Sequence, residues 1–284
     1  MLKQRVITAI ILLAILLPAL FYPAPEPFAV VTLVLIAAGA WEWGRLSQLG
    51  QAPSMALALG CLGLCVGSWA MGWVGQAMPL LWSVVGAAWV LGGCLLLRRG
   101  VHGWSTIPVG LRITGGLLAL WAAWLAVAQA RFIGVNFLLS ILMLVWVADI
   151  FAYFAGRALG GRFSRGKLAP SISPGKSWEG VWGGMAGVVV LSFAWAGADR
   201  AMGAGVASFY TRLSEHGAAL MLIAVLFMAA MSVVGDLVES LIKRSAGVKD
   251  SSGLLPGHGG VLDRVDALLP TLPLAMMLVS LGRS

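Results

Sequence analysis

The chain has 284 residues, of which 60% are hydrophobic and only 11% are charged, whereas soluble domains carry about a quarter charged residues. The net charge of +8 is confined to short stretches between apolar runs, which argues against a nucleic-acid-binding protein, because such a protein needs a basic face on a soluble fold. The 13 Trp and 37 Gly are typical of membrane proteins, in which Trp favours the interface and Gly lets helices approach closely.

A helix needs about 20 apolar residues to cross the hydrocarbon core of a membrane. The sequence therefore predicts an all-α polytopic integral membrane protein with eight to nine transmembrane helices, because the first two spans and the last are short or contain proline. The candidate spans are 6–22, 27–44, 55–74, 78–97, 110–130, 133–156, 178–198, 217–239 and 265–282. The first resembles a signal peptide, but no clean cleavage site follows it, so an uncleaved helix is expected.

The distribution of basic residues predicts the orientation in the membrane. With nine spans and a cytoplasmic N-terminus, fifteen of the 19 Lys and Arg residues lie at the cytoplasmic side, and Arg131, Arg200, Arg212 and Arg283 do not. This orientation places the two long basic loops, 157–177 and 240–264, in the cytoplasm. We further divide the chain into N-terminal transmembrane helices (1–132) and a C-terminal catalytic transmembrane region (133–284).

Most of the small and acidic residues have structural interpretations. Cys61, Cys65 and Cys94 lie in apolar runs as packing residues, and the glycine pairs 63/67, 180/184 and 183/187 have the spacing of close helix contacts. Three acids are expected in outer loops and one at a membrane boundary, with structural or solvated roles: Glu26, Asp199, Glu215 and Glu42. Asp149 lies inside an apolar run, where an ionisable group is costly and indicates a functional site or a buried pair.

A polar stretch near the C-terminus carries the chemistry. Spacing places Asp236, Ser240 and Lys243 on one helical face, where they could also be a helix end with local ion pairs. The stretch ends at Asp263 and Asp266, which would share a face if the last helix begins there. Carboxylates, cations and glycines together favour metal-assisted phosphoryl or nucleotidyl transfer, because acids hold Mg²⁺ while cations neutralise phosphate charge.

The stretch Ser240-Leu-Ile-Lys243-Arg244, Lys249-Asp250, Pro256-Gly-His258-Gly-Gly260 and Asp263-Arg264-Val-Asp266 resembles the signature of the phosphatidate cytidylyltransferases, also called CDP-diacylglycerol synthases. The match covers about 27 residues, and the rest of the chain is similar in layout only. The resemblance implies that CTP and phosphatidic acid react to give CDP-diacylglycerol and pyrophosphate, a step of phospholipid biosynthesis. It places this reaction at the cytoplasmic face of the inner membrane. It also implies Mg²⁺, with a second, monovalent cation such as K⁺ as an option, and makes a homodimer plausible.

The resemblance assigns roles to individual positions. It implies a metal held by Asp236, Asp263 and Asp266, which with Lys243 form the expected catalytic set. The expected substrate-binding residues are Lys176, Ser240, Arg244, Lys249, His258, Gly259, Gly260 and Arg264. For His258 a phosphate contact ranks above a general base, because a phosphate oxygen is already ionised near neutral pH.

The other cytoplasmic loop resembles the same family more loosely through Ser173-Pro-Gly-Lys176-Ser177. A lysine directly before the N-terminus of a helix favours binding of an anion at that end. The alternative is a basic loop that is attracted to anionic lipid headgroups. A transporter would carry its polar groups near the membrane midplane, often in repeats. In this chain the polar groups cluster at one membrane boundary, which disfavours a transporter. A CDP-alcohol phosphotransferase is disfavoured because its aspartate pattern is missing.

Overall fold

The computed structural model describes residues 2–164 and 166–281, so Arg165 and Arg283 of the charge count lie outside the described residues. The structure is almost entirely helical, with one short hairpin. The helices are α1 (Leu2–Phe21), α2 (Glu26–Leu46), α3 (Gln51–Ala70), α4 (Pro79–Ser105), α5 (Val109–Ile133), α6 (Val135–Leu159), α7 (Trp178–Met202), α8 (Phe209–Ser214), α9 (Ala218–Ser245), α10 (Leu262–Val265) and α11 (Leu268–Leu281). The hairpin pairs β1 (Lys167–Ala169) with β2 (Ser173–Ser177), and Trp73–Gly75 forms a 3-10 turn.

Within the described ranges, nine helical segments are long and apolar enough to cross a membrane, the ninth being 262–281. The prediction of an all-α polytopic membrane protein with eight to nine transmembrane helices is confirmed, and the number in the described ranges is nine. Six spans precede the α6–α7 connection and eight precede the α9–α10 connection, and an even number of crossings returns the chain to its starting side, so both connections lie on the same side as the amino end of α1. The contact between α1 and the α9–α10 connection agrees with this, since Thr8 donates a hydrogen bond to the carbonyl of Pro256 (2.9 Å).

Glycines set the closest helix contact, between α6 and α7. A Cβ atom added at Gly183 would lie 2.2 Å from the Cβ of Ala155, and one added at Gly184 would lie 2.8 Å from the carbonyl oxygen of Ala148. Any larger residue would force the helices apart, which confirms the predicted close packing. This contact fixes α6 against the helix that follows β2, and the candidate site lies at its end.

The same prediction is wrong for the glycine pair on α3. Gly63 and Gly67 have nothing within 4 Å of an added Cβ in the described structure, because the buried face of α3 is the one that carries Cys61 and Cys65. Both cysteines are completely buried, as expected of packing residues, whereas Cys94 is exposed.

Asp199 lies inside α7, not in an outer loop as predicted. The helix continues to Met202, and the carboxylate, only 6% exposed, accepts hydrogen bonds from Asn136 Nδ2 (2.9 Å), Ser208 N (3.0 Å) and Thr211 Oγ1 (2.5 Å). It therefore joins α6, α7 and the start of α8 at the membrane face opposite the polar loops.

The helices of the two predicted regions pack against each other over a shared core. α4 contacts α9 and α11, and α5 contacts α2 and α11. The core is dominated by buried apolar residues of α5, α6, α9 and α11. The division at residue 132 stays a prediction.

The loop between α6 and α7 is folded by its own polar contacts. Ser177 caps α7 by accepting a hydrogen bond from the amide of Gly180 (3.2 Å). The Glu179 carboxylate accepts hydrogen bonds from the amides of Phe163 (3.1 Å) and Ser164 (2.8 Å). The hairpin is thereby held over the ends of α6 and α7.

Candidate active site

Helix α9 carries the first part of the predicted site on its final turns. It extends to Ser245, so Ser240, Lys243 and Arg244 lie in a helix and not in the predicted loop from residue 240. The i to i+4 pattern continues through this segment, and the chain turns only at Gly247, whose φ is 73°. The predicted common face is confirmed, since Ser240 Oγ donates to Asp236 Oδ1 (3.2 Å).

Lys243 lies between two carboxylates. Its ammonium group forms an ion pair with Glu239, one turn earlier, and a second with Asp263 Oδ1 at 2.5 Å. The side chains of the three residues are 12%, 4% and 5% exposed. Because each charge would be costly to bury alone, the lysine and the two acids stabilise one another as a group. This group fixes the end of α9 to the start of α10.

Asp263 also fixes the conformation of the preceding loop. Its Oδ2 accepts hydrogen bonds from Ser251 N (2.9 Å), Ser251 Oγ (2.9 Å) and Gly260 N (2.7 Å). An added Cβ at Gly259 would lie 2.6 Å from the same oxygen, and φ at this residue is 82°. Glycine at this position is therefore required both by the backbone conformation and by the carboxylate beside it.

Glu42 of α2 is the second anchor of the loop and is completely buried. Its two oxygens accept four hydrogen bonds, from Ser251 Oγ (3.1 Å), Ser252 Oγ (2.5 Å), Val261 N (2.9 Å) and Leu262 N (2.8 Å). A buried carboxylate tolerates desolvation when several donors surround it. The predicted structural role of Glu42 is correct, and the solvated position is wrong.

A tight turn follows, which contains the predicted phosphate-binding segment. The amide of Leu255 donates to the carbonyl of Gly259 (2.8 Å), and the amide of His258 donates to the carbonyl of Leu255 (2.8 Å). Gly257 adopts φ 77°. Arg264 Nε holds the turn by donating to the carbonyl of His258 (3.0 Å). His258 Nδ1 is buried and has no hydrogen-bond partner among the described residues.

The remaining predicted cations lie at the rim of this loop. Arg244 donates to the carbonyl of Ile172 in the α6–α7 loop and to that of Val248 (both 3.4 Å). The Lys249 side chain is exposed and lines a cavity of 420 Å³ on the other side of the loop, beside α1. Arg244 therefore joins the α6–α7 loop to the α9–α10 loop, while Lys249 remains open to a ligand.

A cavity of 620 Å³ lies between α6, β2, α7 and α9. Lys176 of β2 and Asp236 of α9 both line it and form an ion pair at 2.5 Å. Asp149 of α6 lines the same cavity, as do Tyr153 and Arg157. The structure thus brings together three charged groups that the sequence had placed in separate segments. Much of the wall is apolar helix surface, which suits a ligand that has both a charged and a hydrophobic part.

The three acids predicted to hold a metal do not form one group of metal ligands in the described part of the chain. Asp263 already accepts four interactions, so its oxygens have little remaining capacity. Asp236 accepts one hydrogen bond and one ion pair, and Asp266 accepts the amide of Ala267 (2.7 Å). An added Cβ at Gly235 would lie 2.6 Å from the carbonyl oxygen of Asp266, so these two acids flank one contact between helices. Both fit Mg²⁺, which prefers a few carboxylates supplemented by water and phosphate.

Three residues that organise the site were not selected from the sequence: Glu42, Glu239 and Ser251. Glu42 carried the same signal as Asp149, an acid within a hydrophobic run, and that signal could have marked it. Glu239 lies four residues before Lys243, the spacing of a helical ion pair. Ser251 had no signal, because no local spacing links it to Glu42, which lies 209 residues earlier.

The cytidylyltransferase family model matches residues 3–281. A phosphatidate cytidylyltransferase of Pseudomonas aeruginosa is 38% identical over 280 residues, which cover 96% of this chain and 95% of the relative. The protein of the same name from Haemophilus influenzae is 36% identical over 292 residues, covering 96% of both chains. A third, from Brucella abortus, is 35% identical over 276 residues, or 94% of this chain and 89% of the relative. The chain therefore belongs to the cytidylyltransferase family.

Proposed function

We propose that this chain is a phosphatidate cytidylyltransferase, which transfers CMP from CTP to phosphatidic acid. A phosphate oxygen of the lipid attacks the α-phosphorus of CTP and forms a new P–O bond. The bond between the α-phosphorus and the bridging oxygen breaks, and pyrophosphate leaves with that electron pair. The products are CDP-diacylglycerol and pyrophosphate. This displacement needs in-line positioning and charge neutralisation more than a protein nucleophile.

The observation that carries the proposal is that a cavity with charged and apolar walls shares helix α9 with the polar loop that resembles the family signature. Asp236 lines the cavity, and Lys243, two turns further along, is bound to Asp263 of the loop. A lipid headgroup in the cavity and a nucleotide on the loop would therefore meet at the end of α9. Both substrates could then react without the lipid leaving the membrane.

We assign the lipid phosphate to Lys176 in this cavity. Its side chain is 26% exposed and its ammonium group is bound only to Asp236 among the described contacts, so an incoming phosphate can share it. The acyl chains would lie along the apolar surfaces of α6 and α7, which expose Phe151 and Trp182. Asp149 lines the same wall and would favour the orientation in which the phosphate faces Lys176.

We assign the phosphates of CTP to the loop 246–261 and its flanking cations. Arg244, Lys249 and Arg264 supply positive charge, and the turn at His258 presents backbone amides and an imidazole. Ser240 lies one turn before Arg244, toward the cavity. Gly259 and Gly260 hold the turn against Asp263 and Glu42, so their contribution is the shape of the loop as well as close approach to a phosphate.

Mg²⁺ would be held by Asp236 and Asp266, with Asp263 fixing the geometry of the neighbouring loop. When bound, the ion would neutralise charge on the reacting phosphates and lower the barrier to departure of pyrophosphate. A monovalent companion such as K⁺ remains part of the prediction. Lys243 would keep Glu239 and Asp263 in place and add positive potential beside the reacting groups.

The proposal includes the location and assembly of the protein. The basic residues favour a cytoplasmic site, where CTP is available, and the bacterial relatives suggest the inner membrane. α1 exposes most of its apolar side chains in the single chain, as a helix facing lipid or a second copy would. A homodimer stays a prediction.

The test is a reaction of the purified protein in nanodiscs with labelled CTP, phosphatidic acid and Mg²⁺. We expect labelled CDP-diacylglycerol and an equal amount of pyrophosphate, with no product when either substrate is omitted. Asp263→Asn should lower turnover at least ~100-fold, because it removes the charge that holds both Lys243 and the loop. Glu215→Gln, an exposed acid at the opposite face, is the matched control. Absence of product from a folded wild-type protein would overturn the proposal.

A further inference from the structure

A second cavity, of 420 Å³, lies between the polar loop and the amino end of α1. Gln4 and Arg5 form its wall on the α1 side. The loop contributes Lys249 and His258 among others, and α10 contributes Arg264. No residue lines both this cavity and the one that contains Lys176. The two are separate sites on the same membrane face.

Two contacts place Arg5 in a defined position beside the loop. Thr8 Oγ1, three residues later on α1, donates to the carbonyl oxygen of Pro256 (2.9 Å). Gly257 packs directly on Arg5, since an added Cβ would lie 2.8 Å from its Cγ and 3.2 Å from its backbone nitrogen. The N-terminal helix is therefore docked on the turn that contains His258, and its arginine is presented to that turn.

The charge of this cavity favours an anion. Arg5, Lys249 and Arg264 carry three positive charges, and Asp250 is the acid in the lining. None of the three cations forms a salt bridge with an acid in the described part of the chain. Unpaired cations held around a concave site attract an anion and bind it with charge-assisted hydrogen bonds. The buried, unpartnered Nδ1 of His258 adds a polar group on the same wall.

The shape and lining favour the phosphates of a soluble nucleotide over a lipid headgroup. The cavity is lined by the loop, Arg264 of α10 and the first turn of α1, whereas the cavity at Lys176 lies between membrane helices. A polyphosphate matches several cations spread over two chain segments better than a single phosphate does. An arginine suits this task because its planar group can donate two hydrogen bonds to one phosphate.

On the basis of the proposed function, we infer that Arg5 of the N-terminal helix binds the β- and γ-phosphates of CTP, and afterwards the pyrophosphate product, together with Lys249 and Arg264. Helix α1 is thus part of the nucleotide site as well as a membrane anchor.

The experiment compares Arg5→Gln with Lys3→Gln in nanodiscs. Both variants remove one positive charge from the same end of α1, but Lys3 does not line the cavity, so it controls for effects on membrane insertion. Arg5→Gln should raise KM for CTP and the inhibition constant of pyrophosphate about tenfold, because hydrogen bonds to charged groups are lost. The KM for phosphatidic acid should stay unchanged. Arg5→Lys keeps the charge but lacks the planar guanidinium group, so its KM for CTP should lie between those of the wild type and Arg5→Gln.

Equal KM and pyrophosphate inhibition constants in the two variants would overturn the inference. A rise confined to the KM for phosphatidic acid would also overturn it, by assigning Arg5 to the lipid. An independent measurement uses the wild-type protein alone: pyrophosphate should slow hydrogen exchange in the first turns of α1 and in residues 255–260. Lack of protection at α1 at saturating pyrophosphate would refute the inference even if Arg5→Gln fails to fold. A wild-type protein without turnover would, in contrast, refute the proposed function. The exchange measurement would then still decide whether pyrophosphate binds beside Arg5.

Discussion

Replacing Glu42 by glutamine tests whether the buried carboxylate of α2 holds the polar loop in place. The side chain keeps its size, but one oxygen becomes an NH₂ group. On either side of the carboxylate the neighbours are one serine hydroxyl and one backbone amide, that of Val261 or Leu262. The hydroxyl can rotate to accept a hydrogen bond, whereas the backbone N–H cannot.

The cost follows from these contacts. Hydrogen bonds to a charged group contribute about 1.5–3 kcal/mol, and a buried donor without an acceptor costs about 1–3 kcal/mol. We therefore expect Glu42→Gln to destabilise the ordered loop by about 3 kcal/mol, which corresponds to about 100-fold in the population of its open form. The helical bundle should remain folded, because α2 keeps its apolar packing and the buried hydrogen bond from Trp43 Nε1 to the carbonyl of Arg112 (3.0 Å).

The assay is hydrogen exchange of residues 246–262 together with formation of CDP-diacylglycerol. Exchange in this segment should become about 100-fold faster, since it follows the open population. Turnover should fall as the loop loses its ordered form. Glu26→Gln is the control, because it makes the same chemical change on the same helix at an exposed position. Exchange and turnover of Glu42→Gln that match those of Glu26→Gln would refute the assigned role.

Four further outcomes are expected. Asp236→Asn should lower turnover at least ~100-fold, because it removes a proposed Mg²⁺ ligand and the partner of Lys176, and near-normal turnover would exclude it from the metal site. Lys176→Ala should raise KM for phosphatidic acid several-fold and leave KM for CTP unchanged, and unchanged kinetics would leave its loop a topological role. Gly260→Ala should lower both Tm and turnover, because its Cβ would lie 2.3 Å from Glu42 Oε1, and a wild-type Tm would contradict this. Chelation by EDTA should stop product formation and added Mg²⁺ should restore it, whereas activity that persists in EDTA would refute the metal requirement.

The arrangement of spans was predictable because the membrane requires long apolar segments whatever their sequence. Boundaries were less certain where polar residues continue a helix. α9 continues through Lys243 and Arg244, because these long side chains can extend their charged ends toward water while the backbone stays helical. Asp199 was misplaced for the same reason, since a polar residue in the last turn of a helix looks like a loop.

The polar signature was predictable as a local pattern, but its support was not. Glu42 lies 209 residues before Ser251, and Lys176 lies 60 before Asp236, so no local spacing joins them. The resemblance also implied a metal held by Asp236, Asp263 and Asp266. The structure distinguishes them, because Asp263 uses its oxygens to hold the loop and Lys243, while Asp236 and Asp266 do not. Such differences depend on which donors reach each oxygen.

The hydrogen bonds of Glu42 constrain the order in which the protein can assemble. Glu42 of α2 is synthesised 209 residues before Ser251, a delay of roughly 10–40 s at synthesis rates of about 5–20 residues per second. During that interval the carboxylate has none of its four donors and must stay hydrated at the membrane surface, because burying it alone would cost several kcal/mol. α2 therefore reaches its final packing only after the loop has been made. A ribosome that stalls before Ser251 leaves an inserted chain with an unsatisfied acid, a feature by which quality-control proteases could distinguish it from the finished protein.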